Sequence, residues 1–193
     1  MAEAEKFGCI IVGAGPAGLS AALTLAKAGV EAAVLERGEY PGSKNVMGGI
    51  LFTTILEKLL PEFWKEAPVE RHVTHRRFSL LARDGEVALD FKTSAFNEPP
   101  FNHTWTVLRA KFDRWYAEQV EAAGAMIIPG MTVSELILEG EKVVGVKTEP
   151  GGDELRCDVV IWGCAGNSIR AIWRWRSRKS SVCPLPSSKI VSC

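Results

Sequence analysis

Nothing in this sequence supplies a disulfide framework or a metal cage. Its five cysteines are an odd number and form no CxxC pair, which argues against paired staples and against a zinc site. A reducing cytoplasm is then the default. The three histidines, His72, His75 and His103, have no metal-ligand spacing and read as surface or hairpin residues. Neither sign of charge is in excess. The formal net charge is +0, so bulk charge points neither to nucleic acid nor to an anionic membrane. The balance is uneven along the chain. No acid follows Ile169, whereas Arg170, Arg174, Arg176, Arg178, Lys179 and Lys189 do, so the residues before them are net acidic. No acid–base dyad or nucleophile stands out, and no catalytic residue is assigned.

Only one stretch resembles a membrane span. Residues 7–26 carry no charge and are long enough to cross a bilayer. Gly8, Gly13, Gly15, Pro16 and Gly18 would break a spanning helix near its start. The flank Glu3, Glu5 and Lys6 is acidic, whereas a signal peptide begins basic. The stretch therefore reads as a buried strand, a turn and a packed helix, and no transmembrane segment is expected.

What is present is ordinary globular material, 47% hydrophobic and 24% charged. Its 193 residues can bury a core. Residues 9–12 form a short apolar run, the mark of a fully buried parallel strand. Residues 16–28 are rich in Ala and Leu, and Gly29 sits where a helix C′ residue belongs. Residues 31–36 make a second strand, completing a βαβ unit. Residues 50–64 look helical, and residues 110–123 form a helix ended by Gly124. Hairpins are expected around Asp84-Gly85 and around Gly140, as an antiparallel layer separate from the parallel sheet. Further parallel strands fall at 126–128 and 158–161. The fold class is thus α/β, a Rossmann-like dinucleotide-binding domain with a parallel sheet plus an antiparallel hairpin layer.

The chemistry lies in Gly13-Ala14-Gly15-Pro16-Ala17-Gly18. Gly13 permits the tight turn out of the strand. Gly15 lets a pyrophosphate approach the backbone, and Gly18 lets the helix lie close to the sheet. The helix N-terminus offers N–H groups and a positive dipole end to phosphate. A lone GxGxxG is weak evidence, but here a strand precedes it and a helix follows. Glu36 ends the second strand, where a carboxylate accepts both adenosine ribose hydroxyls and disfavours a 2′-phosphate. Spacing alone leaves FAD and NAD open. The glycine-rich run from Arg37 through Gly42 to Gly48 and Gly49 suits a strand end that passes close to a flat ring system. The apolar series Leu56, Leu59, Leu60 and Phe63 reads as core packing ahead of a shelter for a quinone tail.

Three blocks, GAGPAGLSAALTLAKAG, VLERGEYPGSKNVMGG and VLRAKFDRWYAEQVEAAGA, resemble the FixC branch of the electron-transfer-flavoprotein:quinone oxidoreductases, within the wider geranylgeranyl-reductase-like flavoproteins. The resemblance runs over roughly residues 5–161. It implies FAD as cofactor, with Gly13, Gly15, Pro16, Ala17 and Gly18 at the pyrophosphate, and Glu36 and Arg37 at the adenosine. It also implies Gly42, Gly48 and Gly49 beside the isoalloxazine and Arg109 in contact with FAD. It implies electrons arriving from an electron-transfer flavoprotein and leaving to quinone or through a ferredoxin-like partner. The implied location is cytoplasmic, peripheral at the inner membrane face in a full-length form. Prenyl reductases of the same superfamily tend to carry a cysteine in the loop after the second strand, where this chain has Met47. A non-catalytic dinucleotide-binding remnant is the third reading.

Two departures qualify the resemblance. Family members are roughly twice this length, and Cys164 stands where the family has an acid. A flavin-binding domain over residues 1–168, with a partial substrate-side insertion at about 65–108, is therefore expected. Residues 169–193 are expected to be a non-native or disordered tail, and the product to be truncated and impaired.

Overall fold

The structure, a computed structural model, describes residues 6–162 and the backbone of Ile190–Ser192. In chain order the elements are β1 (Lys6–Val12), α1 (Pro16–Lys27), β2 (Ala32–Glu36), β3 (Gly48–Phe52) and α2 (Thr54–Leu59). There follow β4 (Val69–His72), β5 (His75–Leu81), β6 (Glu86–Lys92), β7 (Thr104–Leu108) and α3 (Arg109–Ala122). The chain continues through β8 (Met126–Pro129), β9 (Thr132–Glu139), β10 (Lys142–Glu149), β11 (Glu154–Trp162) and β12 (Ile190–Ser192). The chain divides into two compact units, one of residues 1–44 and 113–193, the other of residues 45–112.

The first unit is built on a sheet of order β8-β2-β1-β11-β10-β9. Its first four strands are mutually parallel, with Ile10 opposite Ala33 and Val160, and Val34 opposite Ile127. These are the four parallel strands expected from the sequence. Ile10, Ile11, Ala33 and Val34 are fully buried, as a parallel sheet covered on both faces requires. The crossover between β1 and β2 is α1, whose Leu19, Ala22 and Leu23 are buried. It stops where Gly29 takes φ +72°, and the Val30 N–H closes onto the Leu25 carbonyl at 3.0 Å.

The Gly140 hairpin corrects the expected layering. β9 and β10 form no separate layer. β11 is nine residues long, and its first part pairs antiparallel with β10 while its other edge pairs parallel with β1. Val143, Val144 and Val146 are buried, so β10 belongs to the core of the main sheet. Gly145 makes the close approach possible, since a Cβ there would lie 2.2 Å from the Leu155 carbonyl oxygen. The tail expected from residue 169 onward falls mostly outside the described residues, as does Cys164. Ile190–Ser192 pairs parallel with Val160–Trp162 of β11.

In the second unit, β3, β7 and β4 form an antiparallel sheet, and β5 and β6 form a separate two-stranded hairpin through Asp84-Gly85. The helix expected over residues 50–64 is corrected. Gly48–Phe52 is a strand paired with Thr104–Leu108, α2 begins only at Thr54, and a 3-10 turn covers Phe63–Lys65. The helical spacing of Leu56, Leu59 and Leu60 is real but short. The partner that draws Ile50 and Leu51 into a strand lies more than fifty residues away, beyond the reach of local pattern. Leu56 and Phe63 are buried, and the Phe63 ring meets Trp64 and Trp105 edge-on. Core packing thus accounts for Leu56 and Phe63, while Leu59 and Leu60 are half-buried.

Candidate functional site

The end of β1 and the start of α1 form a tight cradle. Gly13 takes φ +98°, and its N–H donates to the Leu35 carbonyl at 2.8 Å, tying the turn to β2. Gly15 is the N-cap of α1, with Pro16 in the first turn. No side chain caps the helix, and no acid lies in its first turn. That end is suited to an anion. Gly18 is buried, and a Cβ on it would lie 2.0 Å from the Gly13 carbonyl oxygen. Glycine is demanded here by the protein's own backbone, in agreement with the packing role read from the sequence. Ala17 is exposed beside it.

Glu36 reaches back into this cradle. Its Oε2 accepts the Ala14 N–H at 2.9 Å, and its Oε1 accepts the Gly38 N–H at 2.7 Å. Each carboxylate oxygen retains acceptor capacity for a further donor. The strand end is pinned from outside, since Met131 N–H donates to the Glu36 carbonyl and Gly130 N–H to the Gly38 carbonyl. Arg37 is exposed. Gly42 is buried with φ +91°, inside the turn closed by Ser43 N–H on the Tyr40 carbonyl.

Sequence reasoning missed Ala14 and Gly38. A Cβ on Gly38 would stand 2.4 Å from Ser43 Oγ and 3.0 Å from Glu36 Oε1. The signal was available in part, as a glycine two residues after the acid.

The other assigned residues lie in the second unit. Gly48 and Gly49 open β3, opposite Leu108 and Val107 of β7. Arg109 starts α3 directly after β7, and its N–H donates to the Met47 carbonyl at 3.0 Å. Gly48, Gly49, Met47 and Arg109 thus share one end of this small sheet. The histidines have structural partners. His75 Nε2 is 2.7 Å from Asp90 Oδ1, His103 Nδ1 is 2.7 Å from Glu57 Oε2, and His72 packs on Phe101. Among the described residues, no group of His, Cys, Asp and Glu could hold a metal, and no helix is long and apolar enough to cross a membrane.

A parallel sheet in this order, with a glycine turn leading into α1 and an acid at the end of β2, defines a Rossmann-type dinucleotide-binding unit. Comparison with known proteins narrows the class. The Thi4 family model matches residues 1–80. "Protein FixC" of Azorhizobium caulinodans is 47% identical over 158 residues, covering 81% of this chain and 36% of that protein. "Probable electron transfer flavoprotein-quinone oxidoreductase YdiS" of Escherichia coli K12 is 45% identical over 165 residues, covering 86% of this chain and 38% of that one. The chain is therefore similar to FixC-type proteins over most of its own length, and it spans little more than a third of theirs. Among solved structures, a geranylgeranyl bacteriochlorophyll reductase-like protein of Thermoplasma acidophilum superposes with a TM-score of 0.71 at 23% identity, covering 93% of this chain and 44% of that one. The FAD-dependent halogenase CndH superposes with a TM-score of 0.67 at 22% identity, covering 84% and 38%. These two show the fold.

Proposed function

We propose that this chain carries the FAD-binding part of a FixC-type flavin oxidoreductase that relays electrons. The observation that carries the reading is the Glu36 carboxylate, fixed between the Ala14 and Gly38 N–H groups at the uncapped head of α1. That arrangement suits an adenosine diphosphate moiety. The helix end and the Gly13–Gly18 turn face phosphate, while Glu36 and Arg37 face the ribose and adenine. The resemblance to FixC-type proteins adds Gly42, Gly48, Gly49 and Arg109 on the flavin side. When bound, FAD would supply the electron-accepting chemistry. The chain's own residues would bind it and orient it.

In this reading the donor is an electron-transfer flavoprotein and the acceptor a quinone or a ferredoxin-like protein. The location is cytoplasmic, with peripheral contact at the membrane face. The name of the Escherichia coli relative supports the first pair. The name of the Thermoplasma neighbour suggests a prenyl-reductase reading, which Met47 opposes, standing in the loop where those enzymes tend to carry cysteine.

Calorimetry with FAD, ADP and NAD, together with the visible spectrum of the purified protein, tests the proposal. FAD and ADP should bind, and Gly15→Val should abolish binding by placing a branched side chain in the phosphate path. Tighter binding of NAD than of FAD would overturn the cofactor assignment. A colourless protein that takes up no flavin would favour a non-catalytic remnant.

A further inference from the structure

The sequence sets Glu57 and His103 far apart, and the second unit joins them. Glu57, on α2, accepts the Thr53 hydroxyl on Oε1 at 2.8 Å and the His103 Nδ1–H on Oε2 at 2.7 Å. Thr53 is fully buried, and the Glu57 side chain is only 14% exposed. The His103 side chain is 43% exposed, and its Nε2 makes no hydrogen bond among the described residues. With Nδ1 donating to a carboxylate, the neutral ring carries its lone pair on Nε2. A sheltered carboxylate behind an imidazole with an open outer nitrogen equips a histidine to pass protons. The acid fixes the tautomer and steadies the imidazolium. His75 and Asp90 have the same 2.7 Å separation, but there both partners stand in solvent, at 50% and 45% exposure.

The backbone that presents His103 is strained and held in place. Phe101, Asn102 and His103 take φ 53°, 59° and 48° in succession, a left-handed run without glycine. Such backbone persists only where its surroundings impose it, and it gathers at functional sites. Here the His103 carbonyl accepts the Thr53 N–H at 2.8 Å, and the Asn102 carbonyl accepts from Arg76 at 3.2 Å. The Arg76 guanidinium also lies over the Phe52 ring, 5.6 Å from its centre. Ile50 and Phe52 are both exposed, and as alternate residues of β3 they share one face of the sheet. β3 begins at Gly48 and Gly49, which the proposed function sets on the flavin side, and Phe52 follows about 14 Å along the strand.

We propose that His103 is the proton donor to a quinone lying over Ile50 and Phe52, with Glu57 as its positioning residue. The proposal rests on the electron-relay reading and chooses between its two acceptors. A ferredoxin-like protein takes an electron without a proton, so the dyad has no task there. A quinone is an uncharged, apolar ring that takes two electrons and gains one proton on each carbonyl oxygen. The electrons come from the reduced flavin. The imidazolium Nε2–H bond breaks as an O–H bond forms on one carbonyl oxygen, and the other oxygen takes its proton from water. Water then returns a proton to Nε2. Arg76, a fixed cation over Phe52, steadies the negative charge on the oxygens before they are protonated.

The test uses the full chain and duroquinone, a quinone whose ring methyls block addition of cysteine thiols. In the flavin-free chain, histidine nitrogen NMR should show duroquinone shifting the His103 Nε2 resonance saturably and leaving His75 unmoved. In the FAD-loaded chain, reduced without oxygen, His103→Asn should slow reoxidation by duroquinone at least about tenfold. Reoxidation by ferricyanide, which takes an electron and no proton, should be unchanged. Asparagine suits left-handed backbone, so this variant should keep the fold. Glu57→Gln should slow duroquinone by a smaller factor and move the His103 resonances, and His75→Asn should do neither. Unmoved His103 resonances overturn the proposal, whether or not the chain takes up FAD. A His103→Asn variant slowed equally toward both acceptors also overturns it, because the histidine is then structural only. So does a reduced chain that ferricyanide reoxidises and duroquinone does not. Failure to take up FAD counts against the proposed function, and the resonance test still decides this one.

Discussion

The carboxylate of Glu36 accepts the backbone N–H of Ala14 at 2.9 Å, across twenty-two residues of chain. The end of one parallel strand thereby holds the glycine turn that follows another. With the second oxygen on Gly38, Glu36 acts as a strut in the ligand-free protein as well as an acceptor for a ribose. Glu36→Ala should therefore weaken both stability and dinucleotide affinity, each by about 1–3 kcal/mol, the scale of hydrogen bonds to a charged group. Glu36→Gln keeps one acceptor oxygen and should fall between the two. Chemical denaturation and calorimetry with ADP check this. An unchanged denaturation midpoint in Glu36→Ala would remove the strut role.

Gly18 and Gly29 make opposite predictions. At Gly18 a methyl would meet Gly13 backbone, 2.0 Å from the oxygen and 3.2 Å from the carbon, with Ile11 Cγ2 at 3.3 Å. Backbone there cannot step aside without opening the turn, so Gly18→Ala should cost about 1–3 kcal/mol, the range for overpacking. Gly29 has open space around it but φ +72°. Gly29→Ala should cost about 1 kcal/mol, through the left-handed backbone alone. Thermal melts of the two variants decide it, and only Gly18→Ala should also lose ADP binding.

How far the sequence reveals this fold depends on where each interaction partner lies. The βαβ unit, the glycine turn and Glu36 are legible because their signals sit within forty residues and repeat known spacings. The Asp84-Gly85 hairpin is legible for the same reason. β3, β4 and β7 are not, because Gly48–Phe52 becomes a strand only by pairing with Thr104–Leu108, and Val69–His72 only by pairing on β7 as well. The joining of β10 to β11 was missed because nothing in the Gly140 hairpin says which edge it will meet. At the site, Glu36 is legible as a ribose acceptor, and the glycine two residues on hints at its bond to Gly38, but its bond to Ala14 spans twenty-two residues and leaves no local sign. Gly48, Gly49 and Arg109 came from resemblance, and the structure gathers them at one end of β3 and β7.

α1 and α3 are linked by a hydroxyl pair whose direction follows from proton count. Ser20 Oγ lies 2.7 Å from the Pro16 carbonyl and donates to it, spending its one proton. Tyr116 Oη, 2.9 Å from Ser20 Oγ, must then be the donor between them. Tyr116 is buried, and burial raises its phenol pKa, with the Ser20 bond pulling the other way. Tyr116→Phe removes the donor and leaves Ser20 still bonded to Pro16, so the loss should be only about 0.5–1.5 kcal/mol. Ser20→Ala removes both the bond to Pro16 and the bond to Tyr116 and should cost more, about 1–3 kcal/mol. Urea denaturation of both variants tests the order. The reverse ranking would mean that Ser20, not Tyr116, supplies the shared proton.

The two buried thiols predict a loss of stability in alkali. Cys9 lies on β1 and Cys157 on β11, both buried. Burial first, and the neighbouring Cys157 second, push the Cys9 thiol from its ordinary 9.0 up to about 11. Burial likewise raises Cys157. In the unfolded chain both thiols ionise near 9, while in the folded chain Cys9 stays neutral to about 11. The unfolded state therefore binds fewer protons across that window, and stability must fall as pH rises through it. The stabilisation is fully present below pH 9 and is lost by the time pH passes the folded value. For Cys9 the slope approaches about 1.4 kcal/mol per pH unit. Cys9→Ala should flatten the fall between pH 9 and 11, and Cys9→Ala with Cys157→Ala should flatten it further, leaving the contribution of Tyr116 above pH 10. Denaturant midpoints measured at half-unit steps would show this. An alkaline fall as steep in the double variant as in the wild type would place its cause elsewhere.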